Sequence, residues 1–238
     1  MWESEIDGKG LTFHLAGINN QNFIMQDEET GTWWQQVSGE AIQGPLKGKR
    51  LTLVDHDEVS FAIWKREQTR GRVLRPDESV KQKYEPENWE EDAAKAPVVT
   101  PLSSEHEPLP RALIAGIELN GKAIAYPQSD LEKERLILDT VGGTPLFIVM
   151  GEDNKSVRAF ERSLDGRALE FFVKIDAAPL RVVDAETGTA WDFSGKATDG
   201  QLAGKQLKKV SLLKDYWFNW KLYHPDTVVY MQGKRLRP

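Results

Sequence analysis

Short runs of alternating apolar and polar residues, separated by turn-forming residues, recur along most of the chain. Residues 23–25 (Phe-Ile-Met) and 32–34 (Thr-Trp-Trp) flank one such turn, which has the pattern Asp-x-x-Thr-Gly. In this pattern the Asp27 carboxylate can accept backbone amides of the turn, and Gly31 can take the positive φ that the turn needs. Residues 23–34 are therefore predicted to form a β-hairpin.

The same sequence motif occurs a second time, about 157 residues further along. Asp-x-x-Thr-Gly-Thr-x-Trp stands at residues 27–34 and again at 184–191, and residues 38–74 align with 194–230 without a gap. Residues 1–13 also align with the second copy, which places Met1 opposite Ala159. Self-similarity over such a length is typical of duplicated structural units, so the chain is predicted to contain an internal repeat.

Each copy continues into a short helical pattern that bears aromatic residues. Residues 59–67 carry Phe61 and Trp64, and residues 214–223 carry Trp217 and Trp220. A spacing of three residues puts both rings on one face of a helix. The pattern favours aromatic anchors that pin each helix to a sheet, and a ligand platform is the alternative.

Residues 113–158 have no counterpart in the first copy. They contain two strand patterns, residues 114–125 around the turn Asn120-Gly121 and residues 145–150 after Gly142-Gly143. The second module therefore looks complete, whereas the first lacks its opening strands. A quinoprotein-type β-propeller is an alternative fold, because its blades carry a similar motif. It is disfavoured, since the motif should then recur about every 40 to 50 residues.

The segment between the copies is rich in Pro, Glu and Lys and is predicted to be an extended linker. Within it, Trp89 is expected to pack on a domain surface, and the acidic residues around it are expected to form a solvated face. Residues 98–100 have strand character and are expected to cover the open edge of the first module, which would keep the protein monomeric.

These patterns predict an α+β, mostly β fold with two tandem modules of short antiparallel strands, each with a short Trp-bearing helix. The expected boundaries are residues 1–76 for the incomplete first module, 77–112 for the linker and 113–238 for the complete second module.

Composition and charge narrow the classes of partner. The net charge is −6, without a basic stripe, which argues against nucleic acid as a partner. No apolar run is long enough to span a bilayer, so membrane insertion is not expected. The chain has no Cys, which excludes disulfides and thiolate ligands within it. As written the chain is expected to be cytoplasmic, and a missing upstream signal sequence would place it in the cell envelope.

Catalytic motifs are absent from the sequence, so an enzyme is the less favoured class. No GxSxG elbow, P-loop or Rossmann fingerprint is present, and the four His residues have no metal-ligand spacing, so no metal or other cofactor is expected. His224 precedes Pro225 at a predicted helix end, which favours a structural role. His14 lies on a predicted strand near several Asn residues and is a candidate to line a pocket.

Several stretches resemble an uncharacterised bacterial and archaeal family, domain of unknown function 3179. They are residues 116–127, residues 139–145, both Thr-Gly-Thr hairpins, the His224-Pro225-Asp226-Thr227 phrase, and residues 33–46. The family has no established activity. The leading hypothesis is a non-enzymatic binding or scaffold protein of unknown ligand, whose groove is lined by Trp33, Trp34, Gln35, Gln36 and His14.

The resemblance also implies an alternative function. Family members usually carry a Cys-x-x-Cys loop that could bind a metal or exchange electrons. Gly151 and Asn154 stand at those places here. The alternative is therefore a metal-binding or redox protein of the cell envelope, whose Cys loop would lie in residues outside this chain.

Overall fold

The computed structural model describes residues 1–19, 22–86, 88–99, 108–174 and 179–231, together with the backbone of 234–236. Within these residues the fold is α+β and mostly β, with several small, largely antiparallel sheets and few short helices. The helices are α1 (Phe61–Glu67), α2 (Trp89–Lys95), α3 (Gln128–Glu134) and α4 (Trp217–Tyr223), with a 3₁₀ helix at Glu78–Lys83.

The strands are β1 (Glu5–Ile6), β2 (Lys9–Gly10), β3 (Phe13–Asn19), β4 (Asn22–Asp27), β5 (Trp33–Gln35), β6 (Ala41–Gln43), β7 (Leu113–Leu119), β8 (Lys122–Pro127), β9 (Leu136–Val141), β10 (Thr144–Met150), β11 (Val157–Glu161), β12 (Ser163–Leu164), β13 (Arg167–Ala168), β14 (Phe171–Val173), β15 (Arg181–Asp184), β16 (Ala190–Asp192), β17 (Lys209–Val210), β18 (Leu213–Tyr216), β19 (Val228–Met231) and β20 (Lys234–Leu236).

Three sheets of three to five strands build the C-terminal part of the chain, residues 113–238. Their strand orders are β18-β7-β8-β19-β20, β17-β11-β10-β9 and β14-β15-β16. In the N-terminal part, residues 1–76, one sheet has the order β3-β4-β5-β6. Neighbouring strands are antiparallel except β8 and β19, which run parallel.

Strand β10 lies at the centre of the C-terminal part because both of its faces are buried. Leu146, Ile148 and Met150 join a core cluster with the sheet that contains β7 and β8. Phe147 and Val149 join a second cluster on the opposite face, against Phe171, Val182 and Trp191. A strand with two buried faces has a continuous apolar sequence, as residues 146–150 do.

The two Asp-x-x-Thr-Gly hairpins form as the sequence predicts, and their side chains make matching contacts. Thr30 and Thr187 donate their backbone N–H to Asp27 and Asp184, at 2.6 and 2.7 Å. The buried indoles of Trp34 and Trp191 donate to the same carboxylates, at 2.7 and 2.9 Å. Gly31 and Gly188 both have positive φ. A buried carboxylate therefore holds each turn and its Trp together.

The strands predicted in the C-terminal part at residues 114–125 and 145–150 are present. Strands β7 and β8 pair through the turn Asn120-Gly121, in which both residues have positive φ. Strands β9 and β10 pair through Gly142-Gly143, again with two positive φ values. Left-handed residues at both turn positions match the right-handed twist of the flanking strands.

The two aromatic helices bury different side chains. In α4, Trp217 and Trp220 are buried, as predicted for core anchors. In α1 that prediction is wrong for Phe61, which is 61% exposed, and Ile63 is the buried residue instead. Ile63 joins the cluster around Phe147 and Phe193, so α1 packs against the C-terminal part.

Two further predictions of local structure are wrong. Residues 214–216 pair with β7 as part of β18, so α4 begins only at Trp217. The segment 77–112 is not wholly extended, since it contains the 3₁₀ helix and α2. Asp77 caps the first of these, and three acidic residues stand in the first turn of α2, where negative charge suits the helix dipole.

The contacts of this linker segment also differ from those predicted. Trp89 is 51% exposed and does not anchor the segment. Val98 and Val99 lie outside any strand, and Thr100 lies outside the described residues. Arg111 holds residues 96–97 of this segment against the C-terminal part. Its guanidinium donates to the carbonyls of Ala96 and Pro97 and stacks on Tyr216 and Phe218.

No helix among the described residues is both long enough and apolar enough to cross a membrane.

Candidate functional site

A two-lobed groove is formed by the C-terminal part in its larger lobe and by both the N-terminal and the C-terminal parts in its smaller lobe. The larger lobe has a volume of about 970 Å³ and is formed mostly by turns, so we call it the turn lobe. The smaller has a volume of about 560 Å³, and we call it the aromatic lobe because Trp2, Trp220 and Tyr223 line it. Glu118, Asn120, Gly121 and His224 line both lobes, so the two lie side by side and share a wall.

Two left-handed turns build one wall of the turn lobe and are locked to each other. Asn120 donates its side-chain amide to the carbonyl of Gly142, at 3.0 Å, and to the Thr144 hydroxyl, at 3.2 Å. A Cβ atom at Gly142 would lie 2.4 Å from the carbonyl oxygen of Leu119, so only glycine fits there. This close approach keeps the wall in one position.

His224 stands at the junction of the two lobes. It caps α4, and its backbone N–H donates to the Trp220 carbonyl at 2.9 Å. Its ring stacks on Trp220 with centroids 3.7 Å apart. Nδ1 lies 3.2 Å from that carbonyl and Nε2 lies 3.3 Å from a Glu118 carboxylate oxygen. Both partners are hydrogen-bond acceptors, so either ring nitrogen can donate to the partner beside it.

Trp220 itself is held from two sides, which makes His224 a rigid feature of the groove. The indole N–H of Trp220 donates to the Thr227 hydroxyl at 2.8 Å. A Cβ atom at Gly116 would come within 2.4 Å of the Trp220 ring, so the absence of a side chain there lets the indole lie on β7. The imidazole of His224 therefore has little freedom to move.

The aromatic lobe combines flat rings with hydrogen-bonding groups. Trp2 and Tyr223 are half-buried, and the Trp2 indole donates to the carbonyl of Gln36 at 2.6 Å. The Ser38 hydroxyl donates to the side-chain oxygen of Gln35 at 2.6 Å, and both residues line the lobe. Rings beside oriented amides and hydroxyls are typical of sites for organic ligands.

The structure separates the binding residues predicted from the sequence. Gln35 lines the aromatic lobe. Trp34 is fully buried against Asp27, Trp33 is half-buried beside it on β5, and Gln36 is exposed and meets Trp2 through its carbonyl. His14 is exposed on β3, opposite Gln26, and lines neither lobe.

Sequence reasoning missed Glu118, Asn120 and Tyr223 and gave His224 a structural role only. The family resemblance could have pointed to Glu118 and Asn120, and to the place of His224 in the groove. Residues 116–127, 139–145 and 224–227 carry that resemblance, and each contributes several residues to the turn lobe. Their separation in the sequence hides this convergence.

The loop at the place of the family's Cys-x-x-Cys is closed by a carboxylate. Asp153 accepts hydrogen bonds from the Ser156 hydroxyl at 2.6 Å and from the amides of Ser156 and Lys155 at 2.9 and 3.0 Å. Burial would raise the pKa of Asp153, but these bonds and one from Ser60 outweigh it and lower the pKa to about 2. Among the described residues, no group of three or more His, Asp or Glu side chains is placed to hold a metal ion.

Asp153→Asn is expected to destabilise the protein by about 1 kcal/mol at pH 7, a modest value because water weakens the bonds of a partly exposed carboxylate. Because the pKa of Asp153 is lowered on folding, its carboxylate stabilises the folded state fully above pH 3.8, the ordinary pKa. This stabilisation is lost as the pH falls towards 2. Urea unfolding at pH 7 and pH 3 should therefore show a smaller difference from the wild type at pH 3. Asp165→Asn, at an exposed turn, is the control, and an equal difference at both pH values would contradict the assignment.

Comparison with known proteins agrees with the resemblance seen in the sequence. The family model described as "Protein of unknown function (DUF3179)" matches residues 1–227. No curated protein and no solved structure matches the chain. Since the match covers all but the last residues, the chain belongs to the DUF3179 family of proteins of unknown function.

Proposed function

We propose that this protein is a non-enzymatic binding or scaffold protein whose ligand occupies the two-lobed groove. The observation that carries the proposal is the convergence of three turns from distant parts of the sequence, residues 118–124, 140–143 and 224–228, on one lobe. A concave site with rings and oriented polar groups is the usual form of a ligand site.

The two lobes favour an elongated organic ligand with chemically different ends. In the aromatic lobe, Trp2, Tyr223 and Leu53 offer apolar surface to a flat or aliphatic group. In the turn lobe, Glu118, Asn120, Lys122, Thr140 and Asp226 offer charged and hydrogen-bonding groups of both signs. A ligand with an apolar end and a polar end would contact both lobes across His224.

We also propose that the chain consists of two related modules, residues 1–76 and 113–238, joined by the segment 77–112, and that it is a monomer from a bacterium or archaeon. The matching hydrogen bonds of the two Asp-x-x-Thr-Gly hairpins support the internal repeat. So do further pairs at aligned positions, such as Leu51 N–H to Gly39 O and Leu207 N–H to Gly195 O, both at 2.9 Å.

The groove proposal is tested by a fragment screen. A set of N-acyl dipeptides, aromatic amines, aromatic acids and disaccharides, each at 1 mM, is screened by ligand-observed NMR, and hits are mapped by amide chemical shifts. We expect the mapped shifts to cluster on residues that line the groove. Glu118→Ala should weaken hits in the turn lobe, and Leu53→Ala should weaken hits in the aromatic lobe, each by about fivefold to tenfold, or ~1 kcal/mol.

Leu15→Ala is the matched control, because Leu15 is 58% exposed on β3 and lines neither lobe. It should leave the affinities unchanged. A screen in which no fragment perturbs the groove, or in which Leu15→Ala weakens binding as much as Leu53→Ala, would contradict the proposal.

A further inference from the structure

A buried pair of amide side chains joins the N-terminal and C-terminal parts beside the aromatic lobe. Asn22 on β4 is 6% exposed and Asn219 on α4 is 8% exposed. Asn219 donates to the side-chain oxygen of Asn22 at 2.9 Å, and Asn22 donates back to that of Asn219. Neither amide can rotate without breaking a buried hydrogen bond, so a change at one is passed to the other.

A carboxyl group stands at one end of this pair. Asn219 donates its second amide proton to an Asp215 carboxyl oxygen at 2.7 Å. The other oxygen of Asp215 accepts the backbone N–H of Tyr216, also at 2.7 Å. Strand β18, which carries Asp215, is fixed by its pairing with β7.

Groove residues stand at the other end. The Tyr223 side chain interacts with the side chains of Asn22 and Gln35. Tyr223, Gln35 and Ser38 all line the aromatic lobe, and Ser38 is bonded to Gln35. A continuous series of polar side chains therefore leads from Asp215 through Asn219 and Asn22 to the groove.

Charged groups from a third element face the same place. Glu58, in the segment that precedes α1, lies close enough to Asp215 for their charges to interact. Lys214, His56 and the amino group of Met1 surround Glu58 in turn. Met1 and His56 also line the aromatic lobe.

We propose that the protonation state of Asp215 is passed to the aromatic lobe through the Asn219–Asn22 pair. An ionised Asp215 is an acceptor for the Asn219 amide, which lies 2.7 Å away. A protonated Asp215 would itself need an acceptor, so the Asn219 amide would turn its oxygen towards Asp215, and its hydrogen bond to Asn22 would rearrange with it. This inference concerns regulation of the site and rests on the proposed function for its biological meaning.

The direction of the pH dependence follows from the surroundings of Asp215. Burial raises the pKa of Asp215 to about 6, the bonds from Tyr216 and Asn219 lower it in part, and Glu58 raises it further. The folded chain therefore holds this proton more tightly than the unfolded chain does. Its stabilising effect is complete below the ordinary value of 3.8 and is lost as the pH rises through about 6.

The relay is tested on the protein alone by ¹⁵N NMR of the side-chain amides between pH 4.5 and 7.5. In the wild type we expect the resonances of Asn219, Asn22 and Gln35 to move with one shared midpoint near the pKa of Asp215. Asp215→Asn should abolish that midpoint at all three amides. Glu58→Gln should shift it to lower pH, because a charge that raises the pKa of Asp215 is removed. Asp55→Asn, an exposed change in the same segment as Glu58, should leave it in place.

A second variant keeps the test decisive if Asp215→Asn does not fold. Asn219→Ala interrupts the series in the middle, so the Gln35 amide should lose its midpoint. A Gln35 resonance that stays constant in the wild type, or a midpoint that survives in the variants, would overturn the relay. Shared titration in a protein to which no fragment binds would uphold the relay and count against the proposed function.

Discussion

Replacing Arg158 by methionine is expected to lower the free energy of unfolding by about 3 to 5 kcal/mol, the range for breaking a buried ion pair from one side. The Arg158 side chain is 4% exposed. Its guanidinium donates to both carboxylate oxygens of Glu67 and to Asp57, each at 2.8 Å, and lies 4.7 Å from the ring centre of Phe193. The substitution leaves Glu67 without this partner at the contact between α1 and the C-terminal part.

Urea unfolding of the variant at pH 7 measures this effect, and two further variants separate charge from packing. Arg66→Met removes an ion pair to Glu152 that also joins α1 to the C-terminal part, but Arg66 is 43% exposed, so the loss should stay below about 1 kcal/mol. Arg158→Met combined with Glu67→Leu should recover part of the stability, because the unpaired carboxylate is gone. Equal losses for Arg158→Met and Arg66→Met would show that the buried network does not hold α1 in place.

Replacing Asp184 by alanine is expected to lower the free energy of unfolding by about 3 kcal/mol, since one buried donor and two part-buried donors lose their acceptor at once. Asp184 is fully buried and accepts from the Thr187 amide and hydroxyl at 2.7 Å and from the Trp191 indole at 2.9 Å. Asp27→Ala should have a similar effect, because Thr30 and Trp34 make the same bonds.

Thermal or urea unfolding of both variants checks this prediction. Trp191→Phe removes one donor and leaves the carboxylate with its turn bonds, so it should cost less than Asp184→Ala. Asp165→Asn, at an exposed turn where asparagine tolerates the positive φ, should change stability by less than about 0.5 kcal/mol. Equal effects of Asp184→Ala and Asp165→Asn would mean that the carboxylate does not organise its hairpin.

Features that depend on neighbours in the sequence were predictable. The carboxylates of Asp27 and Asp184 bond residues three and seven positions away, and the Asn120-Gly121 turn is determined by its own two residues. Local contacts of this kind recur wherever the same sequence motif occurs. They explain why the hairpins and the mostly β fold follow from the sequence.

Helix α1 marks the point at which such reasoning fails. Its sequence offers Phe61 and Trp64 as one apolar face, yet Ile63 is the buried residue. The partners of Ile63 include Phe147, Val149 and Phe193, more than 80 residues away. A helix buries the face that packs against the rest of the fold, and the sequence of the helix does not determine where those packing partners lie.

The sequence by itself determined the mostly β class, the tight turns, the carboxylate-centred hairpins and the family of this protein, because each depends on short-range bonds or on a matching order of residues. The tertiary structure alone decided the site. Gln35, Asn120 and His224 come from parts of the chain about 85 to 190 residues apart, and no pairwise pattern joins them. They meet because α4 packs on β7 through Trp220 and Gly116 and binds β4 through Asn219 and Asn22, and a groove made by such packing exists only once the parts have docked.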